Sequence, residues 1–508
     1  MNFSKFLAAF FLGSLIVLAF QPFNYWFLTF LVPGLLYQLI KSEGIKNTFF
    51  ISYFFGFGLW AFGTFWIENS ITVYGGASPI LGSFLTLLLA AFLSLFQAIS
   101  FTLFKLVTSQ RKTFEVFLLF PATWVLSEWL REFLFTGFPW LYLGYTAVDN
   151  SLLQGYIPIL GIFGIGFLMV LISQIFSYLL GSLRDLTQRK SLYLSSFVLI
   201  IIFIGNQPLE NINWTESDGK ISATVVQPNI DIKEKWTQKG LQKIESEIEK
   251  KISQNSLQNI TQISVIFWPE VTLPSLIQKN RVNEFRTNIL NQNNMLGMVI
   301  GALSTNESEE INNSLIGIGN ISGIYDKKFL VPFGEYVPFS GLFNVFFDFF
   351  NFNRPQILSG KKSELIGNNL IKISSAICYE IAYQSVFLSN SKKTNILFNA
   401  SNDNWFGTGL GPHQHLQIAR FRAAEHQKYL IRSTSTGISA LINDRGQIIK
   451  KIETSSKKNE LESFQEDVIL KSGQTPYANF GKNPFLFILV IIFFISAILK
   501  FKQDEKII

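Results

Sequence analysis

The sequence predicts a multi-span α-helical membrane domain of about eight transmembrane helices, with an α/β domain inserted between the seventh and eighth. Three observations predict it. Long apolar runs crowd the first 205 residues and return once near the C-terminus. Lys and Arg fall on alternate sides of those runs. The stretch between them has the composition of a soluble domain, with β-branched segments alternating with helix-like ones.

The apolar runs come first. Of 508 residues, 48% are hydrophobic and 15% charged, against roughly 25% charged in soluble domains. A helix needs about 20 mostly apolar residues to cross a bilayer. Candidate spans are Phe6–Phe20, Tyr25–Ile40, Phe49–Ile67, Pro79–Phe104, Thr113–Leu130, Pro158–Leu183, Ser191–Gly205 and Pro484–Leu499, the first two and last two being short. The first follows Lys5 as a signal peptide would, but no small-x-small cleavage site follows it and Gln21-Pro22 leads into the next run, so it reads as a retained anchor.

Orientation follows from the basic residues. With the N-terminus inside, the inner loops hold Lys41, Lys46, Lys105, Arg111, Lys112, Arg184, Arg189 and Lys190, and the C-terminal tail holds Lys500, Lys502 and Lys506. The outer loops Glu68–Ser78 and Glu132–Ile157 hold neither Lys nor Arg. The expected division is therefore a transmembrane domain over 1–205, an extracytoplasmic domain over 206–483, and a final helix with a cytoplasmic tail over 484–508. The net charge of +7 belongs mainly to those short inner loops, which argues against a nucleic-acid partner.

The central stretch of about 280 residues is the size of one domain. Ile221–Val226, Ser264–Trp268, Met298–Leu303, Ile371–Cys378, Asn395–Asn399 and Ile438–Ile442 read as strands. Lys235–Ser253, Val282–Asn291 and His413–Gln427 read as helices.

Three reactive segments each end a strand-like run: Trp268-Pro269-Glu270, the lysine-bearing loop Tyr325–Pro338, and Ala376-Ile377-Cys378-Tyr379-Glu380 with the only thiol of the chain. A thiol beside a base and an ammonium makes a nucleophile, because the base takes the proton and the ammonium stabilises the oxyanion. Each piece alone has a plainer reading. A Glu at a strand end is commonly a solvated turn residue, and a lone Cys is commonly a small core hydrophobe.

Together these residues resemble the carbon-nitrogen hydrolase (nitrilase) superfamily and, within it, the membrane-bound apolipoprotein N-acyltransferase family. The resemblance runs along almost the whole chain. It includes Gly63–Ile67, Glu128-Trp129-Leu130-Arg131, Thr136–Leu141, Val226–Asn229, Trp236, Trp268-Pro269-Glu270, Lys327 with Val331–Glu335, Cys378-Tyr379-Glu380 and Ser401–Gly407. It departs at Phe329, where His is frequent, and at Pro228, where Gly is. The resemblance implies a nitrilase-like α-β-β-α sandwich. It implies Glu270 as general base, Lys327 as oxyanion-stabilising cation and Cys378 as nucleophile, with Trp236, Glu335, Tyr379 and Glu380 supporting the site. It further implies a phospholipid acyl donor, an acceptor apolipoprotein with an N-terminal diacylglyceryl cysteine, a thioester on Cys378, no cofactor, and residence in the bacterial inner membrane with the catalytic domain on the periplasmic side. Lys328 is the plain neighbour of Lys327; the family spacing of eight residues to Glu335 selects Lys327.

Other readings stand beside this one. His413, His415 and His426 are the only histidines, and their spacing does not suit a zinc helix, so no metal is expected. Glu128, Arg131 and Glu132 could mark an ion path, but near a span end they suit structural pairing or a lipid headgroup. A transporter is disfavoured by the scarcity of ionisable residues deep in the spans. A membrane-anchored amidase that uses water would share the chemistry but would not need so extensive a membrane part. The Phe-rich stretch 340–352, with six Phe, reads as an apolar arm at the membrane surface, or alternatively as core.

Overall fold

The structure is a computed structural model. It describes residues 3–108, 112–182, 189–256, 262–279, 282, 295–339, 341, 357–361, 364–454 and 460–505. The chain divides into two compact units. One comprises residues 1–212, 409–417 and 480–508; the other comprises 213–408 and 418–479.

The first unit is helical. Among the described residues, Pro79–Val107, Gln154–Leu180 and Asn483–Asp504 are long and apolar enough to cross a membrane, and the pair Ile45–Gly63 and Ile67–Tyr74, bent by 58°, would make a fourth. Phe3–Ala19, Trp26–Ile40 and Ser195–Glu210 are shorter apolar helices. The expected fifth span is one run of helical backbone from Lys112 to Phe133, with a π-helical turn over Glu115–Leu119. Buried Glu115, Glu128, Arg131 and Glu132 interrupt its apolar character. Among the described residues, three or four helices, against the eight expected, meet the length and composition of a span.

These helices pack through small residues, as apolar helices do when close backbone contact is the main attraction between them. A Cβ on Gly58 would sit 2.1 Å from the Phe10 carbonyl oxygen, so only glycine lets these two helices approach so closely. Glu128, Arg131 and Glu132, near the end of the expected fifth span, have partners. The Arg131 guanidinium lies 4.3 Å from the Trp60 ring centroid and donates to the Trp140 carbonyl at 2.9 Å. The Glu128 carboxylate accepts from Leu143 N–H and the Trp124 indole, each at 3.1 Å. Lys482 meets Glu132 at 2.6 Å. This supports the structural-pairing reading of the trio.

The second unit holds two sheets. In the first, β1 (Thr215–Gln227), β2 (Ser264–Phe267) and β4 (Leu296–Thr305) run parallel, and β3 (Leu273–Gln278) also pairs parallel with β4. β5 (Ile311–Gly319) and β6 (Gly323–Asp326) extend one side antiparallel, and β13 (Glu462–Gly473) pairs antiparallel with β1 on the other. In the second sheet, β8 (Lys372–Ile377), β9 (Ile396–Ser401) and β10 (Leu430–Thr434) run parallel. β7 (Ile366–Gly367), β11 (Ile438–Ile442) and β12 (Ile448–Glu453) flank them antiparallel.

Side chains alternate across a strand, and β2 uses both faces. Ile266 and Trp268 join Val226, Met298 and Ile300 in a core shared with Ile252 of the helix Gln238–Ser256. Phe267 points the other way and meets Phe398 of β9, ring centroids 4.9 Å apart. Burial on both faces explains why these parallel strands read as continuous apolar runs.

The expected helix Lys235–Ser253 is interrupted: Ile232–Lys235 ends at Trp236, and Gln238–Ser256 follows. The expected helix Val282–Asn291, apart from Val282, and the Phe-rich stretch 340–352, apart from Gly341, lie outside the described residues.

Candidate active site

The expected site residues come from strand ends of both sheets. Glu270 follows β2 in a turn that presses against β4. A Cβ on Gly301 would stand 2.3 Å from the Pro269 carbonyl oxygen, so glycine is required for that approach. Lys327 directly follows β6, and its N–H donates to the Asn313 carbonyl of β5 at 2.8 Å. Glu335 lies eight residues on, in a loop its own side chain closes: its carboxylate accepts from Val331 N–H at 2.8 Å.

The Lys327 ammonium, 1% exposed, reaches Glu335 Oε1 at 2.9 Å and Glu270 Oε1 at 3.4 Å. Burial alone would lower its pKa, but the Glu335 and Glu270 carboxylates hold it well above the ordinary lysine range. It is therefore a permanent cation. Glu270 Oε2 is buried and has no hydrogen-bond partner among the described residues.

Cys378 follows β8 at the first position of the short helix Cys378–Ala382, with φ +51°. A non-glycine residue in this region costs of order 1 kcal/mol or more and persists where surrounding structure enforces it. The enforcement is visible. The Glu380 carboxylate accepts from Ile377 N–H at 2.7 Å, Lys328 N–H at 2.6 Å, Phe329 N–H at 3.1 Å and the Tyr325 hydroxyl at 3.1 Å. Glu380 thus ties the cysteine turn to the backbone that carries Lys327. Burial pushes its pKa up to about 7, against the pull of the Ile377 N–H and the Lys327 ammonium. The Cys378 thiol is pushed up to about 12, by burial first and by Glu270 second, with Lys327 acting the opposite way. At neutral pH it carries its proton.

Glu270, Lys327, Cys378, Glu335 and Glu380 are thus brought together. Tyr379 is buried beside them, its ring 5.5 Å from that of Tyr383. Trp236 is 53% exposed, and among the described residues no hydrogen bond joins it to the other site residues. Its neighbour Lys235 is the one that reaches the site: it is buried and donates to the Glu270 carbonyl at 3.3 Å. Burial lowers the Lys235 pKa to about 8. Among the described residues no group of three or more His, Cys, Asp or Glu could hold a metal ion.

Residues 12–175 match the family model described as apolipoprotein N-acyltransferase N-terminal domain, and residues 222–460 match carbon-nitrogen hydrolase. Apolipoprotein N-acyltransferase of Haemophilus influenzae is 34% identical, covering 95% of this chain and 92% of the relative. That of Pasteurella multocida is 33% identical, covering 94% and 91%. The chain belongs to the apolipoprotein N-acyltransferase family. The resemblance seen in the motifs is borne out, and as a member of the apolipoprotein N-acyltransferases the chain is an acyltransferase with a carbon-nitrogen hydrolase domain. Among solved structures, the chain is similar to Nit3 of Saccharomyces cerevisiae, a member of the nitrilase superfamily, at 18% identity over 50% of this chain and 92% of that one, with a TM-score of 0.35.

Motif reading missed Asn313. It is 2% exposed, and its amide donates to Glu270 Oε1 at 2.8 Å and Glu335 Oε1 at 3.2 Å. Its signal was available: Asn312-Asn313-Ser314 places three polar side chains inside an otherwise apolar strand, and buried polar groups need partners. Tyr325, hidden in the stretch before Lys327, was missed in the same way.

Proposed function

We propose that this enzyme transfers a fatty acyl group from a phospholipid to the N-terminal α-amine of a diacylglyceryl-cysteine apolipoprotein, through a thioester on Cys378. The observation that carries this reading is the buried Lys327 ammonium clasped by Glu270 and Glu335, at electrostatic range of a strained, buried and protonated thiol. Glu270 takes the thiol proton as the sulfur attacks the ester carbonyl. Lys327 faces the developing oxyanion. The ester C–O bond breaks, and Glu270 returns the proton to the departing lysophospholipid oxygen. The amine then attacks the thioester and the C–S bond breaks; Glu270 takes the amine proton and passes it to sulfur. A thioester suits this task because it reacts readily with amines and divides one hard step into two.

In this reading eight apolar segments cross the membrane, both termini lie in the cytoplasm, and residues 206–483 form a periplasmic α-β-β-α catalytic domain. The alternation of Lys and Arg supports the orientation. Trapping the enzyme with phospholipid and no acceptor, then measuring the mass of the peptide that contains Cys378, tests the central step. A thioester-linked acyl group, released by hydroxylamine, is expected. An unmodified Cys378 under turnover conditions would remove the reading. An impermeant thiol reagent, applied to a variant lacking Cys378, should reach a cysteine placed at Glu307 and not one at Lys46; the reverse pattern inverts the topology.

A further inference from the structure

The reading above uses Glu270 and Lys327 to manage the Cys378 proton and leaves a further polar contact of the sulfur unassigned. β9 runs parallel beside β8 with Ile377 opposite Ala400, so the next residues, Cys378 and Ser401, leave the two strands side by side. The Ser401 hydroxyl hydrogen-bonds the Cys378 thiol. Ser401 also donates to Asp403 Oδ1 at 2.8 Å. The other oxygen, Asp403 Oδ2, receives Arg432 Nη2 at 2.7 Å, and Arg432 is itself fixed by Asn399 Oδ1 and by the Ile438 carbonyl at 3.2 Å. Ser401, Asp403, Arg432 and Asn399 are all buried, none more than 1% exposed.

A serine hydroxyl has one proton and two lone pairs. Asp403, paired with a guanidinium that keeps its protons, is an acceptor and holds the serine proton. Ser401 then has only a lone pair to offer the sulfur, and it accepts the thiol S–H. When the sulfur has lost its proton, that arrangement has no donor left between oxygen and sulfur. The hydroxyl can recover the contact by turning its proton from Asp403 to the sulfur.

We propose that Ser401 acts directly on the nucleophile: its lone pair holds the thiol proton in the resting enzyme until the S–H turns to Glu270, and its hydroxyl then donates its own proton, as a hydrogen bond, to the sulfur whenever the sulfur carries negative charge, with the Asp403–Arg432 pair holding the hydroxyl in between. The sulfur bears that charge twice, as it attacks and again as it departs when the C–S bond breaks and the electron pair returns to it. Lys327 is already engaged by two carboxylates, so a donor at the sulfur itself adds what the ammonium does not supply. A hydrogen bond to a charged group is also stronger than one between neutral groups.

This proposal rests on Cys378 being the acyl carrier, but its test reads the sulfur without any acyl chain. The full-length protein in detergent micelles is reacted with iodoacetamide across neutral to alkaline pH, and alkylation of its single cysteine is followed by mass spectrometry. Ser401→Ala, Ser401→Val and Ser401→Thr are compared with the parent; Val and Thr share a shape and differ only in the hydroxyl. The other charged groups facing the sulfur, Glu270, Lys327 and Asp403, are the same in all four proteins. Ala and Val should alkylate roughly tenfold more slowly at each pH, and Thr should fall within about threefold of the parent. Misfolding exposes the thiol and speeds alkylation, so it cannot imitate the expected slowing. Ala and Val profiles that superimpose on the parent, or Thr slowed as much as Val, overturn the proposal. A Cys378 that alkylates as expected but never carries an acyl group overturns the acyl-carrier reading instead.

Discussion

Two buried ion clusters lie at strand ends of the second unit, and they are satisfied to different degrees. Arg432 meets one carboxylate, Asp403, and its remaining donors meet Asn399 and a backbone carbonyl. Lys327 meets two carboxylates, Glu270 and Glu335, and one oxygen of Glu270 is left without a partner among the described residues. Buried charge that is fully paired serves as framework, since removing one partner strands the other. Buried charge with an excess carboxylate and an open oxygen keeps a proton-accepting position in reserve, which is what a base requires. On the proposed function, the chemistry sits in the cluster whose pairing is incomplete.

The sharpest way to break this comparison is Cys378→Ser. A hydroxyl loses its proton far less readily than a thiol, and transfer of acyl groups to an amine acceptor should fall at least about a thousandfold. Near-normal transfer would separate the Lys327 cluster from the reaction altogether.

Next come the lysines. Lys327→Ala should abolish acylation of Cys378 and also lower stability by about 3–5 kcal/mol, because it leaves two buried carboxylates without their cation. Lys328→Ala should be mild in both respects, since the N–H that binds Glu380 belongs to the backbone and survives the change. Acylation trapping and denaturant unfolding separate the two effects, and a reversed pattern would move the catalytic assignment by one residue.

In the fully paired cluster, Arg432→Ala should cost a comparable 3–5 kcal/mol in unfolding. Activity per folded molecule should nevertheless fall far less than with Lys327→Ala. Equal losses per folded molecule would erase the distinction between the clusters.

Asn313→Ala removes the amide shared by Glu270 and Glu335. One hydrogen bond to a charged group is worth about 1.5–3 kcal/mol, so kcat/KM should drop roughly 10–100-fold. Asn313→Asp should be worse, because it adds a third carboxylate. Parent-like rates in either variant would show that Lys327 alone orients the carboxylates.

The smallest effect at neutral pH comes from His426, away from both clusters. It is buried between Phe387 and Tyr477, and neither ring nitrogen has a hydrogen-bond partner among the described residues. Burial first, then Lys428 and Arg422, lowers its pKa from 6.5 to about 3. The unfolded chain therefore takes up this proton first as pH falls. The His426 contribution is intact above about 6.5 and is lost toward about 3, at up to about 1.4 kcal/mol per pH unit. His426→Phe should flatten acid unfolding over that window; an unchanged profile would assign the acid sensitivity to other groups.

The two units also differ in how far they could be read in advance. The parallel strands β2, β4, β8 and β9 were legible because both their faces are buried, so apolar, small and β-branched residues follow one another with few charges between them. β5 and β13 were not. β5 carries Asn312, Asn313 and Ser314, whose partners lie in other segments, and β13 mixes charges with apolar residues because only part of it is covered. In the helical unit, apolar length was easy to see but the pairing of buried charge was not. Hydropathy does not reveal how buried Glu128, Arg131 and Glu132 are accommodated, because their partners, such as Trp60 and Lys482, are remote in sequence.

By itself the sequence determined the family, the two kinds of region, and the identities of Glu270, Lys327 and Cys378 as reactive candidates. Local spacing and residue type carry that much: a single thiol, a carboxylate after a Trp-Pro turn, and a lysine eight residues before a loop glutamate. Tertiary structure alone decided which groups meet. The amide of Asn313 spanning two carboxylates, Glu380 gathering three backbone N–H groups around the cysteine turn, and Ser401 arriving beside the sulfur all depend on strand register and on two sheets packing face to face. Hydrogen bonds act over about 3 Å, and no one-dimensional pattern states which residues from separate strands come within that distance.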